Sequence, residues 1–185
     1  PIEQEGTYPL PEAQLDRFMF NIVIEYPKEH EEMEIMKLSA SSVFDAKVDK
    51  VLNAQEILQL QDIVQRVPMA DYVMQYAMRL VRQTRVHIQD NTIPEFIRQW
   101  VAWGAGPRAS QYLVITARSR AVLQGRYYAT TDDIKAVAYP VLRHRIIRNF
   151  SAEAEGITTD KIIDKLIEIT PVTEDELMKN GRLPK

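Results

Sequence analysis

"GPRASQYLVITARSRAVLQG" (residues 106–125) reads as a long helix with both ends marked. Pro107 fits a first helical turn, where its missing N–H costs nothing. Tyr112, Leu113, Ile115, Thr116, Ala117 and Val122 carry the apolar pattern to about Leu123, and Gly125 stands just past the end. Helical patterns lie on both sides. Downstream, Thr131 fits the cap of a helix running from Asp132 to about Leu142, with two acids where the macrodipole favours them. Pro140 is expected to bend or end it. Upstream, Thr92 and Glu95 form a capping-box pattern, Pro94 suits the first turn, and that helix is expected to reach Trp103 and stop at Gly104.

Further upstream, Val73, Tyr76, Ala77, Leu80 and Val81 recur at helical spacing behind Pro68, which suits that helix's first turn. Asn53 with Glu56 is a second capping box, opening a helix whose face holds Ile57, Leu58, Leu60, Ile63, Val64 and Val67. Glu29–Ala40 reads as a helix with Met33, Ile35, Met36 and Leu38 on its stripe and an acidic solvated face. Residues 41–52 are a connector, and the tail suggests helices at Thr159–Ile169 and Thr173–Lys179. Strand-like alternation is confined to residues 18–24. The fold class expected is mainly α: a helical bundle with a short N-terminal αβ stub. A lone strand needs a sheet to join, and the chain opens on Pro1 rather than Met, so the expectation is a sheet lying upstream in a longer protein.

Composition narrows the functions. Hydrophobic residues make up 45% of 185, enough for a core, and cysteine is absent, which excludes thiolate zinc sites and disulfides. No apolar run approaches the length of a membrane span. The formal net charge of −3 conceals a basic block: residues 79–148 carry 12 basic and 4 acidic groups. Such a block suits a nucleotide phosphate, an acidic neighbour or nucleic acid. Nucleic acid is not expected, because the chain is net acidic and no aromatics interleave the "LRHRIIRN" cluster (142–149), which reads as a basic helix end packed on a core domain. His30, His87 and His144 lack ligand spacing, so no metal site is expected. Tyr127 and Tyr128 read as a packed turn, and Trp100 and Trp103 as packing residues.

Two arginines hold unusual places. Arg108 lies in the first turn of the long helix, where unpaired N–H groups and the positive dipole end already attract anions. A cation there makes sense if a phosphate sits against the turn; the plainer alternative is a surface ion pair. Arg17 follows the turn begun by Pro11-Glu12-Ala13, where Phe18 is expected to anchor the backbone and point Arg17 outward. Its alternative is a local pair with Glu12 or Asp16.

At these residues the chain resembles a family. "PIEQEGTYPLPEAQLDRFMFNIVIEYP" (1–27) resembles the segment after the sensor-1 strand of MoxR-type AAA+ ATPases. "GAGPRAS" (104–110) and "GRYYATTDDIKAVAYPVLRHRI" (125–146) resemble the family's sensor-2 region and lid. The resemblance implies that residues 1–27 are a remnant of the AAA+ core and 28–185 the helical lid, together a C-terminal fragment. It implies Arg108 as the sensor-2 arginine contacting the ATP γ-phosphate, and Arg17 as an arginine finger acting in trans. It further implies ATP and magnesium in the intact parent, a hexameric cytoplasmic ring, and chaperone-like remodelling of clients such as von Willebrand factor A domain proteins. The 185 residues contain no G-x-x-x-x-G-K-[ST], so this stretch alone is not expected to hydrolyse ATP. Two other classes stay open: a stand-alone helical interaction module, in which the 18–24 strand pairs within the chain and both arginines sit in salt bridges, and a DNA-binding helical domain.

Overall fold

The stripe Val73, Tyr76, Ala77, Leu80 and Val81 is buried in full, and the helical core is built on it. The computed structural model describes residues 8, 10–40, 48–88 and 93–172. In chain order the elements are α1 (Glu12–Leu15), α2 (Glu29–Ala40), α3 (Ala54–Arg66), α4 (Asp71–Arg82), α5 (Glu95–Trp100), β1 (Val101–Trp103), α6 (Pro107–Leu123), α7 (Thr131–Leu142), β2 (Ile147–Arg148), α8 (Phe150–Ala154) and α9 (Thr159–Ile169). The mainly α class holds. The chain divides into two units: one takes in the described residues up to Asn21 and from Ile63 onward, the other Ile22–Asp62. Thr92 and residues 173–179, where a cap and a last helix are expected, lie outside the described residues.

In the larger unit α6 packs on α4 and α7, and α9 packs on α7. Leu80, Leu113, Ile134, Leu142, Ile162 and Leu166 are wholly buried where these helices meet. Gly106 is the N-cap of α6 and Pro107 its first residue. Gly125, at φ 68°, takes the left-handed turn past the end, where Arg126 N–H donates to the Ala121 carbonyl at 2.8 Å. Thr130, one residue before the Thr131 expected, caps α7 in a capping box with Asp133.

Several sequence expectations are corrected. Residues 18–24 form no strand: their groups find no ladder partner among the described residues, and Ile22, Val23 and Ile24 are exposed. The helix begun at Glu95 ends at Trp100, after a Pro94 cap, and Val101 turns to φ −107°, ψ 127°. Val101–Trp103 then pairs antiparallel with Ile147–Arg148, and this ladder offers β-branched and aromatic side chains a better surface than a seventh helical residue would. Trp100 is buried, but Trp103 is exposed, tilted against His87 with ring centroids 5.0 Å apart. Tyr127 and Tyr128 are exposed rather than packed. Pro140 does not end α7, which runs two residues further. Pro68 precedes α4 by a linker, where its carbonyl accepts from Ala129 N–H at 3.2 Å.

The smaller unit shows the second capping box in full: Asn53 N–H donates to Glu56 Oε2 at 2.7 Å, and Glu56 N–H donates to Asn53 Oδ1 at 2.9 Å. No α3 residue is buried, and Met33, Ile35, Met36 and Leu38 on α2 are exposed too.

One glycine is demanded by close approach. A Cβ on Gly104 would lie 2.1 Å from the Thr84 carbonyl oxygen. Thr84 Oγ1 accepts from Ala105 N–H at 2.8 Å, and Arg85 Nε donates to the Ala105 carbonyl at 2.9 Å. The loop before α6 is thereby fixed to the end of α4. Gly104→Ala is expected to lower stability by about 1–3 kcal/mol, read as a lower urea midpoint.

Candidate functional site

The start of α6, the turn after α1 and the end of α7 converge. Asp16 follows α1, and its carboxylate accepts from Arg108 Nη1 at 2.8 Å and from Arg145 Nε at 2.9 Å. Arg145 lies between α7 and β2 with its side chain 1% exposed. It donates to the Asp16 carbonyl at 2.7 Å and the Phe18 carbonyl at 2.6 Å, and also to the Val141 carbonyl. Its guanidinium stands 5.0 Å from the centre of the Tyr112 ring. Burial lowers its pKa below the usual guanidinium value, and the Asp16 carboxylate offsets that only in part.

The turn bearing Arg17 is held by its carbonyls. Tyr112 Oη donates to the Arg17 carbonyl at 3.0 Å, and Arg143 Nη1 donates to that of Asn21 at 3.2 Å. His144 Nε2 sits 3.0 Å from the Phe18 carbonyl, so it must carry the proton. Burial, with the charge of Arg145, lowers the His144 pKa against the opposing hydrogen bond to the Phe18 carbonyl. Asn21 N–H donates to the Pro140 carbonyl at 2.8 Å. Phe18 was expected to anchor this turn but is 57% exposed. A short turn has too few apolar contacts to fix itself; the side chains of Tyr112, Arg143, His144 and Arg145 do so instead.

The two sequence-predicted residues differ in state. Arg17 is exposed, and its side chain makes no hydrogen bond or ion pair among the described residues. Arg108, with its side chain 43% exposed, is paired with Asp16. The turn that carries Arg17 is thus joined to the helix that carries Arg108 through Asp16. Beside them a cleft of about 340 Å³ is lined by Glu12, Asp16, Trp103, Gly104, Gly106 and Arg145, among others. A larger groove of about 440 Å³ is lined by Val67, Val122 and Tyr127 together with Arg66 and Arg126.

Asp16 and the buried Arg145 were missed as site residues. The basic cluster at 142–149 reads as a helix end packed on a separate core domain rather than on the turn after α1, and nothing local links Asp16 to a residue 92 positions away. No group of His, Asp and Glu among the described residues could hold a metal ion, and no described helix is long and apolar enough to cross a membrane.

A long helix opened by Gly-Pro-Arg and packed between two shorter ones is the arrangement of an AAA lid: residues 96–166 match the AAA lid domain family. The chain is 38% identical over 168 residues to the chaperone MoxR1 of Mycobacterium tuberculosis, covering 91% of this chain and 44% of that protein. It is 34% identical over 172 residues to the uncharacterized protein YeaC of Bacillus subtilis, covering 93% and 50%. The crystal structure of a candidate ATPase from Cytophaga hutchinsonii superposes with a TM-score of 0.84 at 37% identity, covering 94% of this chain and 52% of that one. The chain belongs to the MoxR-type AAA+ family, and it spans about half the length of the relatives it matches.

Proposed function

We propose that the chain is the lid-bearing C-terminal part of a MoxR-like AAA+ ATPase, in which ATP binding and hydrolysis drive chaperone-like remodelling or activation of partner proteins. The observation that carries this reading is the match to the AAA lid domain and to the chaperone MoxR1, with Arg108 in the first turn of α6; in the structure Arg108 Nη1 is held by Asp16, the surface ion pair that was its plainer alternative. In this reading Arg108 contacts the γ-phosphate of its own subunit's nucleotide, and Arg17 reaches the neighbour's. The residues suit an anion: Gly106 adds no side chain at the helix start, and Arg108 commits Nη1 alone to a described partner. Bound ATP supplies the phosphoryl group; the chain's part is charge and position, which is most of what phosphoryl transfer needs. The phosphate loop and the acids for magnesium belong, in this reading, to a preceding core, for which the doubled length of the relatives leaves room.

The remaining parts of the proposal are a hexameric cytoplasmic ring and protein clients that include von Willebrand factor A domain proteins. The Mycobacterium relative's name as a chaperone supports the remodelling role. In the full-length protein, Arg108→Ala is expected to lower ATP turnover about 10²- to 10³-fold. Turnover equal to that of the unaltered protein would contradict the reading.

A further inference from the structure

The two partners of the Asp16 carboxylate are held very differently. Oδ1 is bound by Arg145, whose side chain is 1% exposed and whose other donors are spent on backbone carbonyls. Breaking that pair would strand a buried cation. Oδ2 is bound by Arg108, whose side chain is 43% exposed against 31% for Asp16. An exposed pair of this kind opens easily, because water takes over both charges. Asp16 therefore has one fixed partner and one exchangeable partner, and the exchangeable one is Arg108.

We propose that Asp16 is a positioning residue that competes with the terminal phosphate of the nucleotide for Arg108. The inference rests on the reading of Arg108 as the phosphate contact. Without that phosphate, Asp16 draws the guanidinium onto the turn after α1. A phosphate carries more charge and offers several acceptor oxygens in a geometry suited to a guanidinium, so it takes Arg108 away. Arg145 keeps Asp16, and with it the turn bearing Arg17, in place whichever partner Arg108 takes. Asp16 thereby sets how much of the phosphate's attraction is spent before the helix carrying Arg108 responds.

The test is nucleotide binding to the full-length protein, with β,γ-imido ATP and ADP as probes. Asp16→Asn removes the competing charge and keeps an oxygen for Arg145. It is expected to bind the imido triphosphate about 2- to 5-fold more tightly and ADP unchanged, and the gain should vanish in an Arg108→Ala background. A purely structural role for Asp16 would alter both nucleotides alike. Unchanged or weaker triphosphate binding by Asp16→Asn, with Arg108→Ala still weakening it, overturns the competition and leaves the role of Arg108 standing. No effect of Arg108→Ala would remove that role, and the competition with it. If Asp16→Asn does not fold, ¹⁵N resonances of the arginine side chains in the unaltered protein decide. The triphosphate analogue should shift those of Arg108 and leave those of Arg145; an unmoved Arg108 overturns the proposal.

Discussion

Arg17→Ala in the full-length protein is expected to lower ATP turnover about 10³- to 10⁵-fold, with nucleotide affinity and folding close to those of the unaltered protein. The reasoning starts from the backbone. Its turn is clamped through the carbonyls of Asp16, Arg17, Phe18 and Asn21 by Arg145, Tyr112 and Arg143. The Arg17 side chain itself is exposed and bonded to no described group. A guanidinium on a fixed base, with its donors committed to no described residue, loses little freedom when it meets a neighbour's phosphates. That is the property an arginine finger needs. An exposed side chain without partners adds little to folding, so its removal should change stability by less than about 0.5 kcal/mol. Loss of turnover with an unchanged melting temperature is the expected pair of results.

The second large effect concerns folding. Asp133→Ala is expected to lower stability by about 2–4 kcal/mol. The Asp133 side chain is fully buried at the start of α7. It accepts from Arg120 Nη1 at 2.6 Å, from Arg126 Nη1 at 2.8 Å and from Thr130 N–H at 2.9 Å. It therefore closes the capping box and ties the end of α6 to the start of α7. The cost stays below that of a wholly buried pair because Arg120 and Arg126 are each about one-third exposed and can turn to water. Burial by itself would raise the Asp133 pKa; the hydrogen bonds from Arg126, Thr130 and Arg120 outweigh it and hold the carboxyl well below the usual range. A folded pKa below the unfolded one adds stability that is full above the ordinary carboxylate value of roughly 4. That stability declines as pH falls from there toward the folded value. Urea midpoints measured from pH 6 down to pH 2 should fall for the unaltered protein and fall less for Asp133→Ala.

What could be read from the sequence follows from what is local. Val73, Tyr76, Ala77, Leu80 and Val81 repeat with the helical period, and all five are buried. Asn53 and Glu56 sit three apart and make both bonds of their box. Gly106, Pro107 and Gly125 bound α6 as their backbone preferences require. The pairing of Val101–Trp103 with Ile147–Arg148 was hidden, because strands of two and three residues carry no period. Arg145 was hidden for another reason. Its cluster reads as a helix end packed on a core domain, and only the fold brings the carbonyls of Asp16 and Phe18 to it. Arg17 and Arg108 drew notice through their positions beside a turn and a helix start, but Asp16, which joins their two segments, gave no local sign.

The most direct test of the account mixes two variants of the full-length protein: Arg17→Ala, and one lacking the lysine of its phosphate loop. Each should be nearly inactive alone. Mixing is expected to restore ATP hydrolysis, because a subunit with an intact phosphate loop then receives Arg17 from a neighbour. No recovery, with mixed assembly shown independently, would contradict it and leave Arg17 without a role in a neighbouring subunit.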